Sequence, residues 1–228
     1  MKTKHLFIVL INCLFLMSCS VIKNNFSINP SNLSTQKAFK TNVIEPADST
    51  FVNLKDFSND FIFDMKYATT DNFLKEKVYD CPECFLRYKT IKALIAANTT
   101  FRKKGYQIKI YDCYRPLDIQ KKMWQIVSNP EYVANPSKGS IHNRGGAVDI
   151  SLVDNIGNEL NMGTSFDFFG VEASHNYKNF SKEILKNRKL LKRIMRKNNF
   201  ISFDSEWWHY NLKNANKDAV SNQKWKCD

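Results

Sequence analysis

Helical and strand-like patterns of apolar residues follow one another irregularly along this chain, and this order constrains its fold more than any other feature. Three segments repeat apolar residues at the spacing of amphipathic helices: 90–104, 116–127 and 181–198. Five segments have the alternating or short apolar pattern of strands: 61–67, 107–114, 147–153, 200–203 and 207–212. Because helices and strands do not alternate one by one, we predict an α+β fold. We expect a single compact domain with a central, mainly antiparallel sheet and helices packed on it.

The first 18 residues have the layout of a secretory signal. Two lysines at positions 2 and 4 precede an apolar run from Leu6 to Met17, which is too short to span a bilayer reliably. The run ends in the letters LMSC at positions 16–19, which look like a bacterial lipobox. We therefore predict a lipoprotein signal peptide at 1–18 and lipidation of Cys19, whose acyl chains would hold an exported protein to a membrane of the cell envelope. The alternatives are an ordinary signal peptide cut nearby and an uncleaved anchor.

The segment that follows the signal has the composition of a linker. Residues 20–47 are rich in Asn, Ser, Thr and Lys, with two prolines and little apolar periodicity, so they cannot bury a core. We assign residues 19–50 to a lipid-anchored flexible tether and residues 51–228 to the folded domain. The chain of 228 residues, 43% of them hydrophobic, is long enough for one such domain and too short for two of ordinary size.

The charge of the chain is strongly positive, at +12 overall. Nucleic acid is a common partner of basic proteins, but an exported lipoprotein rarely meets it, so we expect anionic envelope polymers or lipid head groups as neighbours instead. The densest basic run, at 182–197, alternates with apolar residues at near-helical spacing. A solvated helix face explains that run better than a binding patch. The sequence implies neither a nucleic-acid nor a protein partner.

Four cysteines remain after the signal and the proposed lipidation site are set aside: Cys81, Cys84, Cys113 and Cys227. An oxidising compartment permits disulfides among them. The C-x-x-C pair at 81–84 resembles half of a zinc knuckle, but no second C-x-x-C or C-x-x-H pair exists to complete four ligands. We therefore predict one or two structural disulfides, with the connectivity open.

The histidines point to a catalytic metal site. A catalytic zinc typically takes three protein ligands of histidine and carboxylate type and leaves the fourth position open. His142, Asp149 and His209 supply this set, with two glycines after His142 that allow a tight turn. Glu206 is then a natural general base. Because residues three apart on a flat strand face opposite sides, this role requires a bend before His209. His175 is the one competing histidine ligand.

These residues lie in motifs that resemble a known family. The pattern S-x-H-x-x-G-x-A-x-D at 140–149 and E-x-x-H at 206–209 are similar to the signature of the D-alanyl-D-alanine dipeptidases, zinc enzymes known from vancomycin resistance and part of the zinc D,D-peptidases. Three further stretches match in the same order: KYATTDNF at 66–73, DCYRP at 112–116 and MGTSFD at 162–167. The matching stretches extend from about residue 61 to residue 210, nearly the whole predicted domain.

The resemblance implies hydrolysis of the D-alanyl-D-alanine dipeptide to two D-alanines by metal-activated water. It implies one Zn²⁺ per chain, held at the sheet by His142, Asp149 and His209. Glu206 would act first as the base and then as the proton donor to the leaving amine. Arg115 would stabilise the oxyanion, a role that suits a fixed and always-charged donor.

The resemblance also implies how the substrate is held. Asp167, with Tyr67 beside it, would bind the free ammonium of the dipeptide, and Ser140 would help to bind its carboxylate. His175 would have a supporting structural role. A D,D-carboxypeptidase that trims peptidoglycan stems through a more open cleft is the alternative, and a non-catalytic wall-peptide-binding relative is a further one. Outside the cytoplasmic membrane, such an enzyme would serve wall turnover or D-alanine scavenging rather than depletion of cytoplasmic precursors.

Overall fold

The computed structural model describes residues 45–227 of the chain. Its three helices are α1 (Tyr88–Arg102), α2 (Leu117–Ile126) and α3 (Lys182–Lys197). Its seven strands are β1 (Phe51–Asn53), β2 (Ile62–Phe63), β3 (Phe85–Arg87), β4 (Tyr106–Asp112), β5 (Ala147–Asp154), β6 (Phe200–Ser202) and β7 (His209–Leu212). The predicted signal peptide, Cys19 and residues 19–44 of the predicted tether lie outside the described residues. Within 45–227, the helices are too short or too polar to cross a membrane.

The central sheet has five strands in the order β2-β4-β5-β7-β6. Its β4–β5, β5–β7 and β7–β6 pairs are antiparallel, and only the β2–β4 pair is parallel. Strands β1 and β3 form a separate antiparallel pair. This arrangement confirms the predicted α+β class with a mainly antiparallel sheet.

The core lies where α1 and α3 pack against this sheet and against each other. The apolar stripe of α1 is fully buried at Ile91, Leu94 and Phe101, and α3 contributes Leu191 and Met195. Each of these side chains stabilises the fold by about 1.5–3 kcal/mol relative to an exposed position. Strand β5 is buried along all but its last residue, as expected for a strand in the middle of a covered sheet.

Two of the predicted strands are shorter than their patterns indicate. The prediction of a strand over 61–67 is wrong beyond Phe63, because the chain leaves the sheet there and residues Lys66–Ala68 form a 3-10 helix. The predicted strand over 207–212 begins only at His209, because the backbone N–H of Trp207 donates to the Ala173 carbonyl outside the sheet. The other predicted helices and strands agree with the structure to within about two residues.

Two disulfides join the four cysteines of the described chain, Cys81 to Cys227 and Cys84 to Cys113. They confirm the predicted structural disulfides and settle the connectivity that the sequence left open. Residues at the end of the predicted tether already pair with the domain: the Ser49 carbonyl accepts a hydrogen bond from the Arg87 guanidinium at 2.6 Å.

Candidate active site

The register between β5 and β7 brings the first two candidate metal ligands together. Asp149 on β5 lies directly opposite His209 at the start of β7. His142 precedes β5 in a 3-10 helix, His142–Arg144, and the next residue, Gly145, has a left-handed φ of 67°. A Cβ at Gly145 would lie 2.3 Å from the Phe51 ring, so both the backbone conformation and the available space require glycine here. This turn returns the chain to β5 and places His142 beside Asp149.

The three candidate ligands meet at one point. His209 Nδ1 lies 2.9 Å from Asp149 Oδ1, His142 Nε2 lies 3.4 Å from Asp149 Oδ2, and the two histidine nitrogens are 3.2 Å apart. A tetrahedral zinc site with bonds of about 2.0–2.1 Å would separate its donor atoms by about 3.3 Å. The donors therefore have the spacing of a zinc coordination shell.

One ring nitrogen of each histidine donates a hydrogen bond to a group outside the ligand cluster, which leaves the other nitrogen available to bind a metal. The Nδ1–H of His142 donates to the Cys113 carbonyl at 2.6 Å, and the Nε2–H of His209 donates to Asn211 Oδ1 at 2.9 Å. In the neutral rings, the opposite nitrogens present lone pairs to each other and to Asp149. Three acceptors this close repel one another unless a cation lies among them. The donor set and its supporting contacts therefore fit a bound metal ion.

Electrostatics lead to the same conclusion. Burial opposes a charge on His209, but Asp149 and Glu206 outweigh it and raise the pKa of His209 to about 9. Burial alone would raise the pKa of Asp149, whereas His142 and His209 hold that pKa below its usual range. Both shifts show that buried negative charge at this point favours a positive charge beside it, which a bound metal ion would supply.

Glu206 lies beside this metal position, at the bend that its predicted role requires. Its backbone N–H donates to the Phe203 carbonyl in the turn before β7. Its carboxylate Oε2 is 4.0 Å from His209 Nδ1. Burial raises the pKa of Glu206, and His209 partly opposes this shift. A carboxylate with a raised pKa is a stronger base for a proton transfer near neutral pH.

A single cavity of about 580 Å³ brings together the eight predicted site residues, which are Tyr67, Arg115, Ser140, His142, Asp149, Asp167, Glu206 and His209. The rings of Tyr132 and Phe169 line part of this cavity and stack on each other, with centroids 4.0 Å apart. His175 lies elsewhere, buried against Tyr210, and does not belong to the one His/Asp group in residues 45–227 that could hold a metal ion.

The sequence profile of a family described as D-ala-D-ala dipeptidase matches residues 47–227. The chain belongs to this family. The D-alanyl-D-alanine dipeptidase of Escherichia coli (strain K12) is 37% identical over 171 residues, covering 74% of this chain and 88% of that protein. The D-alanyl-D-alanine dipeptidase of Enterococcus faecium is 31% identical over 172 residues, covering 66% and 85%. A solved LD-carboxypeptidase structure is 22% identical, with a TM-score of 0.44 and coverage of 76% of this chain and 72% of that chain.

Membership of the dipeptidase family confirms the resemblance and directs attention to Arg115. This arginine is buried, and its Nη2 donates to Asp112 Oδ2 at 2.6 Å while its Nη1 donates to Gln120 Oε1 at 2.9 Å. Its guanidinium lies 5.2 Å from the centre of the Tyr67 ring. The group is therefore a fixed, charged donor in the cavity wall of this dipeptidase.

The substrate-binding candidates of the dipeptidase also lie in the cavity. The Tyr67 hydroxyl donates to Asp167 Oδ2 at 3.0 Å, and Asp167 adopts a left-handed φ of 56°. Burial, with the nearby charge of Asp149, raises the pKa of Asp167. The Tyr67 hydroxyl and the charge of Arg115 oppose this shift only in part. Ser140 Oγ donates to Asn143 Oδ1 at 3.0 Å.

Four supporting residues were missed in the sequence: Asp112, Gln120, Asn143 and Asn211. Asp112 is fully buried, and its Oδ1 accepts hydrogen bonds from the Tyr79 hydroxyl and the Cys113 backbone. The sequence did contain an indication of this role: Asp112 is a charged residue within the apolar strand pattern of 107–114, and buried charges are rare without partners. The three amides carry no comparable signal, since their partners are known only once the chain is folded.

Proposed function

We propose that this chain hydrolyses D-alanyl-D-alanine to two D-alanines with one zinc ion per chain. His142 Nε2, the Asp149 carboxylate and His209 Nδ1 would hold the ion. One observation carries the proposal: three lone-pair donors converge within 2.9–3.4 Å of one another, in the cavity that also contains Glu206 and Arg115. A binding module needs neither the base nor the oxyanion donor.

When bound, zinc supplies a Lewis acid that activates water and polarises the scissile carbonyl. The Glu206 carboxylate would take up a proton from the attacking water and would then deliver it to the leaving nitrogen. The Arg115 guanidinium, held by Asp112 and Gln120, stabilises the negative charge that develops on the carbonyl oxygen. Because Arg115 is already held in place, little reorganisation is needed when that charge appears.

The two ends of the substrate find complementary groups. The ammonium of a dipeptide pairs with Asp167, whose burial near the Asp149 carboxylate makes its charged form unfavourable in the free protein. Ser140 contributes a hydroxyl for the carboxylate once its proton turns away from Asn143 Oδ1. A stem peptide has an amide in place of that ammonium, so Asp167 and its Tyr67 partner favour the dipeptide over the substrate of a D,D-carboxypeptidase.

The decisive experiment gives the purified protein D-Ala-D-Ala, L-Ala-L-Ala and a pentapeptide ending in D-Ala-D-Ala, with and without a chelator. We expect chelator-sensitive cleavage of the D,D dipeptide alone. Glu206→Gln should lower kcat about 10²- to 10⁴-fold with zinc still bound, while Glu183→Gln, on the first turn of α3, serves as the matched control. Release of D-alanine from the pentapeptide would instead identify a carboxypeptidase.

We also propose that the protein is an exported lipoprotein of the cell envelope, anchored through Cys19. The LMSC sequence at 16–19 supports this location, and so do the two disulfides, which persist in oxidising compartments. There the enzyme would act in wall turnover or D-alanine scavenging. Labelled palmitate should enter the wild-type protein and Cys13→Ala but not Cys19→Ala, and labelling of Cys19→Ala would refute the anchor.

A further inference from the structure

The Cys84–Cys113 disulfide lies directly behind a candidate zinc ligand. Both cysteines are fully buried, and Cys113 is the first residue after β4. The Cys113 carbonyl is the acceptor that orients His142, at 2.6 Å from Nδ1. The disulfide is therefore linked to the His142 ring through the backbone of Cys113 alone. The Nε2 of that ring faces the metal position.

The segment that carries Cys113 contacts both the candidate zinc ligand His142 and the oxyanion donor Arg115. The Cys113 backbone N–H donates to Asp112 Oδ1 at 2.9 Å, and the other oxygen of Asp112 holds Arg115 at 2.6 Å. The Arg115 backbone N–H donates in turn to the His142 carbonyl at 3.2 Å. A shift of this segment would thus move the zinc ligand and the oxyanion donor together.

The sheet gives this segment little support of its own. The register between β4 and β5 shifts between Ile110 and Asp112, and β4 ends at Asp112. Both backbone groups of Cys113 are used by the site, and the nearest backbone contact to β3 is the Tyr114 N–H to the Phe85 carbonyl, at 2.9 Å. The disulfide adds a covalent tie between this segment and Cys84.

We propose that the Cys84–Cys113 disulfide is a positioning element of the zinc site, and that the enzyme gains its full zinc affinity only after this bond has formed. The inference rests on the proposed zinc-dependent function. Forming the bond removes two electrons and two protons from the thiols, and a disulfide oxidant of the compartment accepts them. Zinc binding is thereby coupled to arrival in an oxidising compartment.

The second disulfide is a natural control. Cys81–Cys227 ties down the C-terminal segment, where the Trp225 ring stacks on Phe85 with centroids 5.2 Å apart. Its cysteines are 146 residues apart, against 29 for Cys84–Cys113, so the entropic model assigns it the larger share of stability. Within residues 45–227, neither of its cysteines hydrogen-bonds to a candidate metal ligand. If both disulfides had only a structural role, the variant with the larger loss of folding stability would also have the larger loss of zinc affinity.

The test compares the full-length wild-type chain with C84A/C113A, with the better-filled C84V/C113A and with C81A/C227A. For each we would measure the urea midpoint, the zinc affinity by chelator competition, kcat and KM at saturating zinc, and the nitrogen-15 signals of His142 in zinc-free protein. We expect both variants of the inner bond to lose zinc affinity about 10- to 100-fold, as when the group behind a metal ligand is removed. In both, the hydrogen-bonded Nδ1–H signal of His142 should also weaken. C81A/C227A should be at least as destabilised, yet keep its zinc affinity.

The inference would be overturned if C84A/C113A bound zinc as tightly as the wild type does. It would also be overturned if the loss of zinc affinity were proportional to the loss of folding stability in all variants. Should the variants of the inner bond fail to fold, partial reduction of native wild-type protein by a phosphine, with the reduced pair identified by mass spectrometry, gives the same comparison. Unchanged affinity after reduction of Cys84–Cys113 would also refute it. A wild-type protein that binds zinc but leaves D-Ala-D-Ala intact would refute the proposed function alone, since the affinity comparison would still stand.

Discussion

Replacing His175 by phenylalanine should remove a large part of the acid sensitivity of the fold. The His175 ring is buried, and it lies edge-on to Tyr210 with centroids 6.1 Å apart. Its Nε2 has no hydrogen-bond partner among residues 45–227. Burial, followed by the positive charges of Lys192 and Arg188, lowers the pKa of His175 to about 3. Phenylalanine keeps the aromatic contact and cannot be protonated.

The size of the effect follows from the difference between the folded and unfolded pKa values. The unfolded chain takes up a proton at His175 near pH 6.5, whereas the folded protein does so only near pH 3. In between, the unfolded state binds more protons, so the free energy of unfolding falls as the pH falls, by up to about 1.4 kcal/mol per unit. Lowering the pH from 7.5 to 5 should therefore cost the wild type about 2 kcal/mol through this residue alone.

Urea unfolding of the zinc-free protein, followed by tryptophan fluorescence at several pH values from 7.5 to 5, measures this loss. The metal is left out because its binding also depends on pH. His209 does not confuse the comparison: it is present in both proteins, so the pH dependence that its folded pKa of about 9 produces cancels in the difference between them. The wild type should lose about 2 kcal/mol more than His175→Phe. Parallel curves for the two proteins would refute the reasoning.

Three further perturbations test the site and the disulfides. Asn211→Ala removes the acceptor behind His209 and should weaken zinc binding about 10- to 100-fold in a chelator competition. Asp167→Asn removes the buried partner of the substrate ammonium, so kcat/KM for D-Ala-D-Ala should fall at least about 10²-fold in steady-state kinetics, while circular dichroism stays unchanged. Removing the Cys81–Cys227 bond, which spans 146 residues, should lower the free energy of unfolding by about 5 kcal/mol in the entropic model, as measured with urea.

The helices were predictable because each has a long apolar stripe that must be buried. The stripe of α1 includes Ile91, Leu94 and Phe101, and the structure buries all three completely. Strands of two or three residues, such as β1, β2 and β3, contain too few positions to establish an alternation, so the prediction missed β1 and β3 and extended β2 too far. The parallel pairing of β2 with β4 depends on contacts between distant segments, which one sequence does not reveal.

The ligands were predictable for a different reason. Few histidines remain after the signal, and a catalytic zinc site needs a particular set of donor types. The residues that hold these ligands in place are ordinary amides and backbone carbonyls. Asn211 and the Cys113 carbonyl acquire their roles only when the fold brings them to His209 and His142. The supporting shell is therefore a property of the folded chain, whereas the ligand set is a property of the sequence.

The hydrophobic core ultimately positions the metal site, because it fixes the register between β5 and β7. Val148 lies opposite Tyr210 in this register, and both are fully buried, as is Ile150. A shift by one residue would turn these side chains to the other face of the sheet and separate Asp149 from His209. Exposing the three apolar side chains would cost roughly 5–9 kcal/mol, which is comparable with the whole stability of a typical domain. Burial of apolar residues on one face thus holds the charged ligands together on the other.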